Sequence, residues 1–303
     1  MRKQFKIAAV QMPWEFSAAS RRERIEVNFA EAERWLEIAG EGGADIACLG
    51  ETFNTVGVSP EPDEVMEWTA DAEGKVKERF GPLAGKYGMG IIAPVHAVRE
   101  GMLRNVALVL SETGELLGGY EKVHCTEKER ELGVVPGREW PIFLIKGARI
   151  GIQICHDNSF PESARCLALG GAEIVFWPHV MGGWGGEFMD VLLRSPAIHN
   201  GIHHVPVCFG CPADRAWRPG MMIGRSSIIG PDGMIQADAG RHPGIARATV
   251  DLDAPRLAHW FTRPGDFVFR VDMLNDRRPD AYAPLTEVRP RRDPVPAPGE
   301  RAD

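Results

Sequence analysis

The sequence predicts a layered α/β fold built as one large domain. Three observations carry this. Apolar runs of strand length alternate with stretches of helical period, one hairpin pattern interrupts the alternation, and no linker or fixed-period repeat divides the body. At 303 residues the chain can bury a sizeable core, and no apolar stretch is long enough to span a bilayer.

Residues 6–11 form the first apolar run. Ile25, Phe29, Ala32, Leu36 and Ala39 then recur at helical spacing, with Ser20 placed to cap the helix. Gly42-Gly43 ends that helix, and residues 45–50 read as a second buried strand that stops at Glu51. Val76, Phe80, Leu83 and Tyr87 repeat the helical period before a third strand from Gly90 to Ala97, so the opening order is β-α-β-α-β. Residues 105–110 and 115–120, either side of a turn at Thr113-Gly114, read as a hairpin that adds an antiparallel portion. Ala148 to Cys155 is a further strand, Pro161 opens a helix through Ala168, and residues 173–177 return as a strand. A helix from about Phe188 to His199, strands at 205–209 and 226–229, the turn Gly230-Pro231-Asp232-Gly233 and a strand near 248–252 complete the body. From Glu287 the chain is rich in Pro and Arg and lacks apolar residues to bury it. Residues 1–286 are therefore expected to form the domain and 287–303 a tail, mobile or ordered by a partner.

Composition excludes several function classes. Thirty-five Lys and Arg against 42 Asp and Glu leave a net charge of −7, and the basic residues are scattered, which argues against a surface that tracks nucleic-acid phosphates. Mean hydropathy of −0.19 argues against a membrane protein. The apolar stretch before Gln11 is too short for a secretory signal, and the six cysteines lie mostly inside apolar runs; a cytoplasmic protein with free thiols is expected. Cys208-Phe-Gly-Cys211 has redox or zinc spacing without a second ligand pair, His203-His204 has no companion ligand, and no Gly-rich phosphate loop opens a helix. No metal or cofactor is implied, and a small molecule is the expected partner.

Cys155 stands where an apolar strand runs out ahead of the helix start at Pro161-Glu162, and carboxyl ends of strands in α/β sheets are where crevices collect. Glu51 emerges in the same way from its own strand. It would lie next to Cys155 if the two strands are neighbours, as an acid able to accept a proton. Lys122, in Gly118-Gly-Tyr-Glu-Lys-Val-His124, offers a fixed ammonium for charge developing on a carbonyl oxygen. Taken singly, the same residues also read as a structural cysteine, a solvated acid and a surface lysine.

Taken in order, these segments resemble the carbon-nitrogen hydrolase (nitrilase) superfamily. The likeness runs from Glu51 after its strand, through Tyr120-Glu-Lys122-Val-His124 and Pro136-Gly137, to Gly151-Ile-Gln-Ile-Cys155-His-Asp157-Asn-Ser-Phe160-Pro161-Glu162. Arg194-Ser-Pro-Ala-Ile-His-Asn200 and Gly224-Arg-Ser226-Ser-Ile-Ile-Gly-Pro231-Asp-Gly233 extend it, so that roughly residues 5–270 are covered. The resemblance implies a four-layer αββα sandwich and a triad of Glu51 as general base, Lys122 as oxyanion stabiliser and Cys155 as nucleophile. An amide carbonyl is a poor electrophile, so the chemistry needs a soft sulfur nucleophile, a base for its proton and a cation for the oxyanion; the N–H after Cys155 is a second donor.

Members of the family resemble one another in a second glutamate between the lysine and the Pro-Gly. Here Glu127, Glu129 and Glu131 compete, with Glu129 favoured by its spacing to Lys122 and Glu131 next, although charges that alternate in sign from Glu127 to Glu131 also read as a solvated helical face. His179 falls where the family places substrate-facing residues, His156 and Glu131 are further candidates for substrate contact, and Trp184 would wall the pocket. Nitrilases usually carry an aromatic residue and then Glu after the cysteine, whereas this chain carries His156 and Asp157 and so looks more like the amidase and N-carbamoylase branches. The expected activity is hydrolysis of an amide or N-carbamoyl bond through a Cys155 thioester, in a homodimer or larger assembly. Nitrile hydrolysis, acyl transfer, a silent binding protein or a redox pair at Cys208 and Cys211 remain as alternatives.

Overall fold

The computed structural model describes residues 3–15, 20–182, 186–218, 221–253, 258–260, 269–271 and 274–287. Its first strand, β1 (Gln4–Gln11), is apolar on both faces because both are covered. Phe5, Ile7 and Ala9 face a second sheet, while Ala8 and Val10 face helices. Helix α1 (Arg21–Glu41) starts where expected, with the Ser20 hydroxyl accepting from the Glu23 N–H. After β2 (Ile46–Cys48) come α2 (Pro62–Thr69), a Pro-started helix that the periodicity did not reveal, and α3 (Ala72–Tyr87), which ends on Gly88 in the left-handed conformation. Strands β3 (Gly90–Arg99), β4 (Met102–Leu110) and β5 (Leu116–Glu121) and the late strand β12 (Gly244–Asp251) complete the first sheet, in the order β12-β1-β2-β3-β4-β5.

The acidic-basic run forms α4 (Glu127–Glu131). A second sheet then begins with β6 (Phe143–Ile145), too short to stand out in the sequence, and β7 (Ala148–Ile152). It continues through α5 (Pro161–Leu169), β8 (Ile174–Pro178), α6 (Gly186–Asn200), β9 (His203–Val207), β10 (Ser227–Ile229) and β11 (Ile235–Asp238). The chain returns to the first sheet as β12 (Gly244–Asp251), and β13 (Ala258–Trp260) pairs with β14 (Phe269–Val271). Sheet two has the order β11-β10-β9-β8-β7-β6, with β7, β8 and β9 parallel.

The expected strand to Cys155 stops at Ile152, because the next residues turn out of the sheet into a 3₁₀ turn over Cys155–Ser159. Between the sheets lies a core that includes Tyr120, Ile150, Ile154, Phe176 and Val205; α1 and α3 cover the outer face of sheet one, and α5 and α6 that of sheet two. This is the αββα sandwich. No helix among the described residues is long and apolar enough to cross a membrane. The expected tail, from residue 288 on, lies outside the described residues.

Among the buried histidines are His96, His179 and His204. His96 meets the Thr55 hydroxyl at 2.8 Å, His204 donates to the Leu193 carbonyl at 2.8 Å, and His179 stacks on Trp177 at 4.2 Å. Burial pushes His96 and His204 down to about 4 and His179 to about 3. Their folded values lie below the unfolded one, so the stability they allow is complete above about pH 6.5 and drains away as pH falls towards the folded values. Urea titrations are expected to show unfolding free energy dropping steadily below pH 6.5, with about three extra protons bound by the unfolded chain near pH 5. A flat profile across that range contradicts neutral burial of these rings.

Candidate active site

Glu51 opens the turn that follows β2. The turn is pinned on several sides: Phe53 N–H donates to the Pro94 carbonyl, Asn54 exchanges hydrogen bonds of 2.9 and 3.0 Å with the backbone of His96, and Asn28 donates to the carbonyls of Asn54 and Val56. Phe53 packs against Phe29 of α1 and Phe80 of α3 with ring centroids 5.2 and 5.6 Å apart. The carboxylate is thereby held at the carboxyl end of its strand by core packing.

Lys122 follows β5. Its N–H donates to the Asn105 carbonyl and its own carbonyl accepts from Gly137, where a Cβ would collide with the Glu121 carbonyl, so the Pro136-Gly137 pair is a packing requirement. The Lys122 side chain is 1% exposed. Nζ lies 2.8 Å from Glu51 Oε1 and 2.9 and 2.8 Å from the two oxygens of Glu129. Burial draws the ammonium's pKa down, but the charges of Glu51, Cys155 and Glu129 outweigh it and the net shift is upward. Burial alone would push Glu129 up; Lys122 and the hydrogen bonds around it carry it below the ordinary carboxylate value.

Glu129 is aimed by its own helix. It stands at the third position of α4 in a capping box with Thr126, whose N–H and hydroxyl donate to Oε2 at 2.8 and 2.9 Å. Oε1 is left for Lys122 and for Asn105 Nδ2, 2.7 Å away. Glu131, the competing acid, is exposed at the end of the helix, since two residues of helical advance turn it away from Lys122.

Cys155 adopts the left-handed conformation, φ 45°, at the start of its 3₁₀ turn. Trp177 Nε1 donates to its carbonyl at 2.8 Å, and the indole is stacked between His179 and His204. Buried Asp157 accepts from the Ile154 N–H at 2.8 Å, the Tyr120 hydroxyl at 2.7 Å, the His124 N–H at 2.9 Å and the His124 ring at 2.8 Å. It thus ties the residues flanking Lys122 to the residue before Cys155. The half-buried thiol lies beside Glu51, and the Val180 N–H donates to Glu51 Oε2 at 2.9 Å. Burial first, then the charge of Glu51, push the thiol well above its usual value, with Lys122 opposing. At rest the sulfur is therefore a neutral thiol beside the Glu51 carboxyl.

The structure therefore brings Glu51, Lys122, Cys155 and Glu129 to one point. His156 is half-buried on the turn, edge-on to Phe160, with its pKa lowered by burial and then by Lys122. His179 is enclosed, and neither ring nitrogen has a hydrogen-bond partner among the described residues. Trp184 lies outside the described residues. Sequence reasoning assigned no role to Asn105, Asp157 or Trp177. The available signal for Asn105 was an amide in the otherwise apolar run 105–110, which needs partners if buried. All six cysteines are free, and among the described residues no cluster of three or more His, Cys, Asp or Glu could hold a metal ion.

A sequence profile described as carbon-nitrogen hydrolase matches residues 6–259. The deaminated glutathione amidase of Synechocystis sp. (strain PCC 6803 / GT-S) is 30% identical over 268 residues, 83% of this chain and 93% of that protein. The N-carbamoylputrescine amidase of Solanum lycopersicum is 29% identical over 281 residues, 86% of this chain and 90% of its own. In fold, the chain is similar to a variant of the amidase from Nesterenkonia sp. AN1 that carries the acetamide moiety of fluoroacetamide on its active-site cysteine, with a TM-score of 0.73 at 21% identity over 93% of this chain and 97% of that one.

Removing one acid from a buried ion cluster leaves the cation undercompensated, whereas an exposed acid is dispensable. Glu129→Ala is expected to destabilise the fold by about 3 kcal/mol and Glu131→Ala by less than about 0.5 kcal/mol, measured by urea unfolding at pH 7. Equal effects would contradict the assignment of Glu129.

Proposed function

The chain belongs to the carbon-nitrogen hydrolase family, and from that premise we propose that it hydrolyses an amide or N-carbamoyl bond of a small molecule through a thioester on Cys155. The observation that carries the reading is the Cys155 thiol beside the Glu51 carboxyl, whose Oε1 is held by Lys122 at 2.8 Å. A neutral thiol with its pKa raised is a poor nucleophile, and a base in contact with it removes that obstacle.

In the proposed reaction Glu51 takes the thiol proton as Cys155 Sγ bonds to the carbonyl carbon. The oxyanion is met by the Lys122 ammonium and the His156 N–H, which leads the turn after Cys155. Collapse breaks the C–N bond, and Glu51 returns its proton to the departing nitrogen. Water then adds to the thioester with its proton passing to Glu51; the C–S bond breaks, the thiol is re-formed and the acid leaves. Glu129 keeps Lys122 in place throughout. His156, half-buried on the turn beside Cys155, would contact substrate. Two curated relatives bear amidase and N-carbamoyl amidase names, and His156-Asp157 stands where nitrilases carry an aromatic residue and Glu; both support an amide or carbamoyl substrate over a nitrile.

Association into a homo-oligomer is part of the proposal. Phe160, Leu169, Val191 and Ile198, on and beside α5 and α6, expose apolar surface that a second copy would cover. Sedimentation is expected to show a dimer or larger.

The activity is tested by assaying short aliphatic amides, N-carbamoyl amino acids, carbamoylated amines and nitriles for ammonia release. Activity is expected on a member of the first three classes. Cys155→Ala should abolish it by at least about a thousandfold with circular dichroism unchanged. Undiminished ammonia release by that variant overturns the reading.

A further inference from the structure

Asn105 lies on β4, opposite His96 on β3 and one residue before Val106, which pairs with Glu121 on β5. It is 2% exposed. One amide nitrogen, Nδ2, reaches Glu51 Oε1 at 2.9 Å and Glu129 Oε1 at 2.7 Å, while Lys122 Nζ reaches the same two oxygens at 2.8 and 2.9 Å. Two donors and two acceptors alternate in a closed four-membered ring. The amide can take only one orientation there: turned over, Oδ1 would face two carboxylate oxygens.

We propose that Asn105 is a positioning residue for the reaction, whose amide lets two carboxylates share one ammonium so that Glu51 stays ionised beside Cys155. The Coulomb problem is plain. Glu51 and Glu129 approach the same cation from two sides, and like charges that close repel unless enough donors lie between them. Lys122 has three hydrogens, and the amide supplies two more, neutral and in fixed directions. Without them the pair of acids would hold a shared proton at higher pH, and a protonated Glu51 cannot take one from the thiol. The titratable groups around the ring are His96 from β3, Lys122 and Cys125 from the segment after β5, and Cys155 and His156 from the turn after β7.

The inference rests on the reading of Glu51 as base, but its first measurement needs no substrate. Alkylation of Cys155 by iodoacetamide, located by peptide mass spectrometry, is followed from pH 5 to 9 in the full chain, in Asn105→Ala and in Asn105→Asp, with folding checked by circular dichroism. Both variants are expected to fold. The acidic limb of the rate profile should move up by about one pH unit in Asn105→Ala and further in Asn105→Asp, which adds a third acid. In a Glu129→Gln background the same Asn105→Ala change should shift the limb by less than half as much, since the repulsion is already relieved. With a substrate in hand, kcat should fall about tenfold or more while KM stays within about threefold. An unmoved limb in a folded Asn105→Ala, an equal shift in both backgrounds, or failure of both Asn105 variants to fold overturns the proposal. A wild-type chain that shows these shifts yet hydrolyses no amide, ureide or nitrile leaves the ring assignment standing and removes the proposed function instead.

Discussion

A buried ammonium held by one buried and one half-buried carboxylate is the constraint the rest of the molecule answers to. Taking Lys122 out of water carries a desolvation penalty of several kcal/mol, and only close, well-directed partners offset it. Those partners are Glu51 from the turn after β2 and Glu129 from helix α4, and Asn105 on strand β4 donates to both of them. Sheet register brings them together. The β3–β4 pairing sets Asn105 opposite His96, and the β4–β5 pairing leaves Lys122 as the next residue out of the sheet, its N–H on the Asn105 carbonyl. A slip of one residue in β4 would turn Asn105 to the opposite face and leave both acids short of donors. The hairpin between β4 and β5 is therefore part of the site as much as of the sheet.

The second sheet answers to a different need, which is to present a sulfur to that cluster at a fixed angle. A non-glycine residue in the left-handed region costs about 1–3 kcal/mol, and Cys155 is kept there by its surroundings. Trp177, immobilised between two histidine rings, holds the Cys155 carbonyl, and Asp157 holds the Ile154 N–H. Because Asp157 also accepts from Tyr120 and His124, on either side of Lys122, the two halves of the site are joined by one carboxylate. Movement of the nucleophile relative to the cation would break hydrogen bonds inside the core, where water cannot replace them.

Much of this was legible in the sequence because it follows from local rules. The Ser20 cap, the Gly42-Gly43 stop, the hairpin at Thr113-Gly114 and the Pro161 helix start are chemistry within a few residues, and all are present. Helix α2 and the short strands β6 and β11 were not legible, since three or four residues of half-exposed strand carry no period. Strand β7 was overextended for a related reason: Gln153 and Ile154 are as buried as strand residues although the chain is already leaving the sheet. In the site, Glu51, Lys122 and Cys155 stood out because each ends an apolar run. Spacing favoured Glu129 over Glu131; the capping box with Thr126 places Glu129 against Lys122, and Thr126-Glu-Lys-Glu129 carries that signature in the sequence. Asn105 and Trp177 act across strands, through partners dozens of residues away, and no local pattern announces them.

The charge balance explains why the site needs a second acid when one base is enough for the proton. In the proposed resting state Glu51 and Glu129 are carboxylates, Lys122 is an ammonium and Cys155 is neutral, which gives one net negative charge. When the thiol proton moves to Glu51 and the sulfur attacks, Glu51 becomes neutral and the substrate oxygen becomes the anion, so the net charge is unchanged. A buried cluster has little solvent to absorb a change in charge, and a reaction that only relocates one negative charge by a few ångströms avoids that penalty. Glu129 makes this possible. If Glu51 were the sole counter-ion of Lys122, its protonation would strip the ammonium of its partner at the moment the oxyanion arrives. With Glu129 still bound through both oxygens, Lys122 stays placed and has a hydrogen free to turn from Glu51 Oε1 to the new anion.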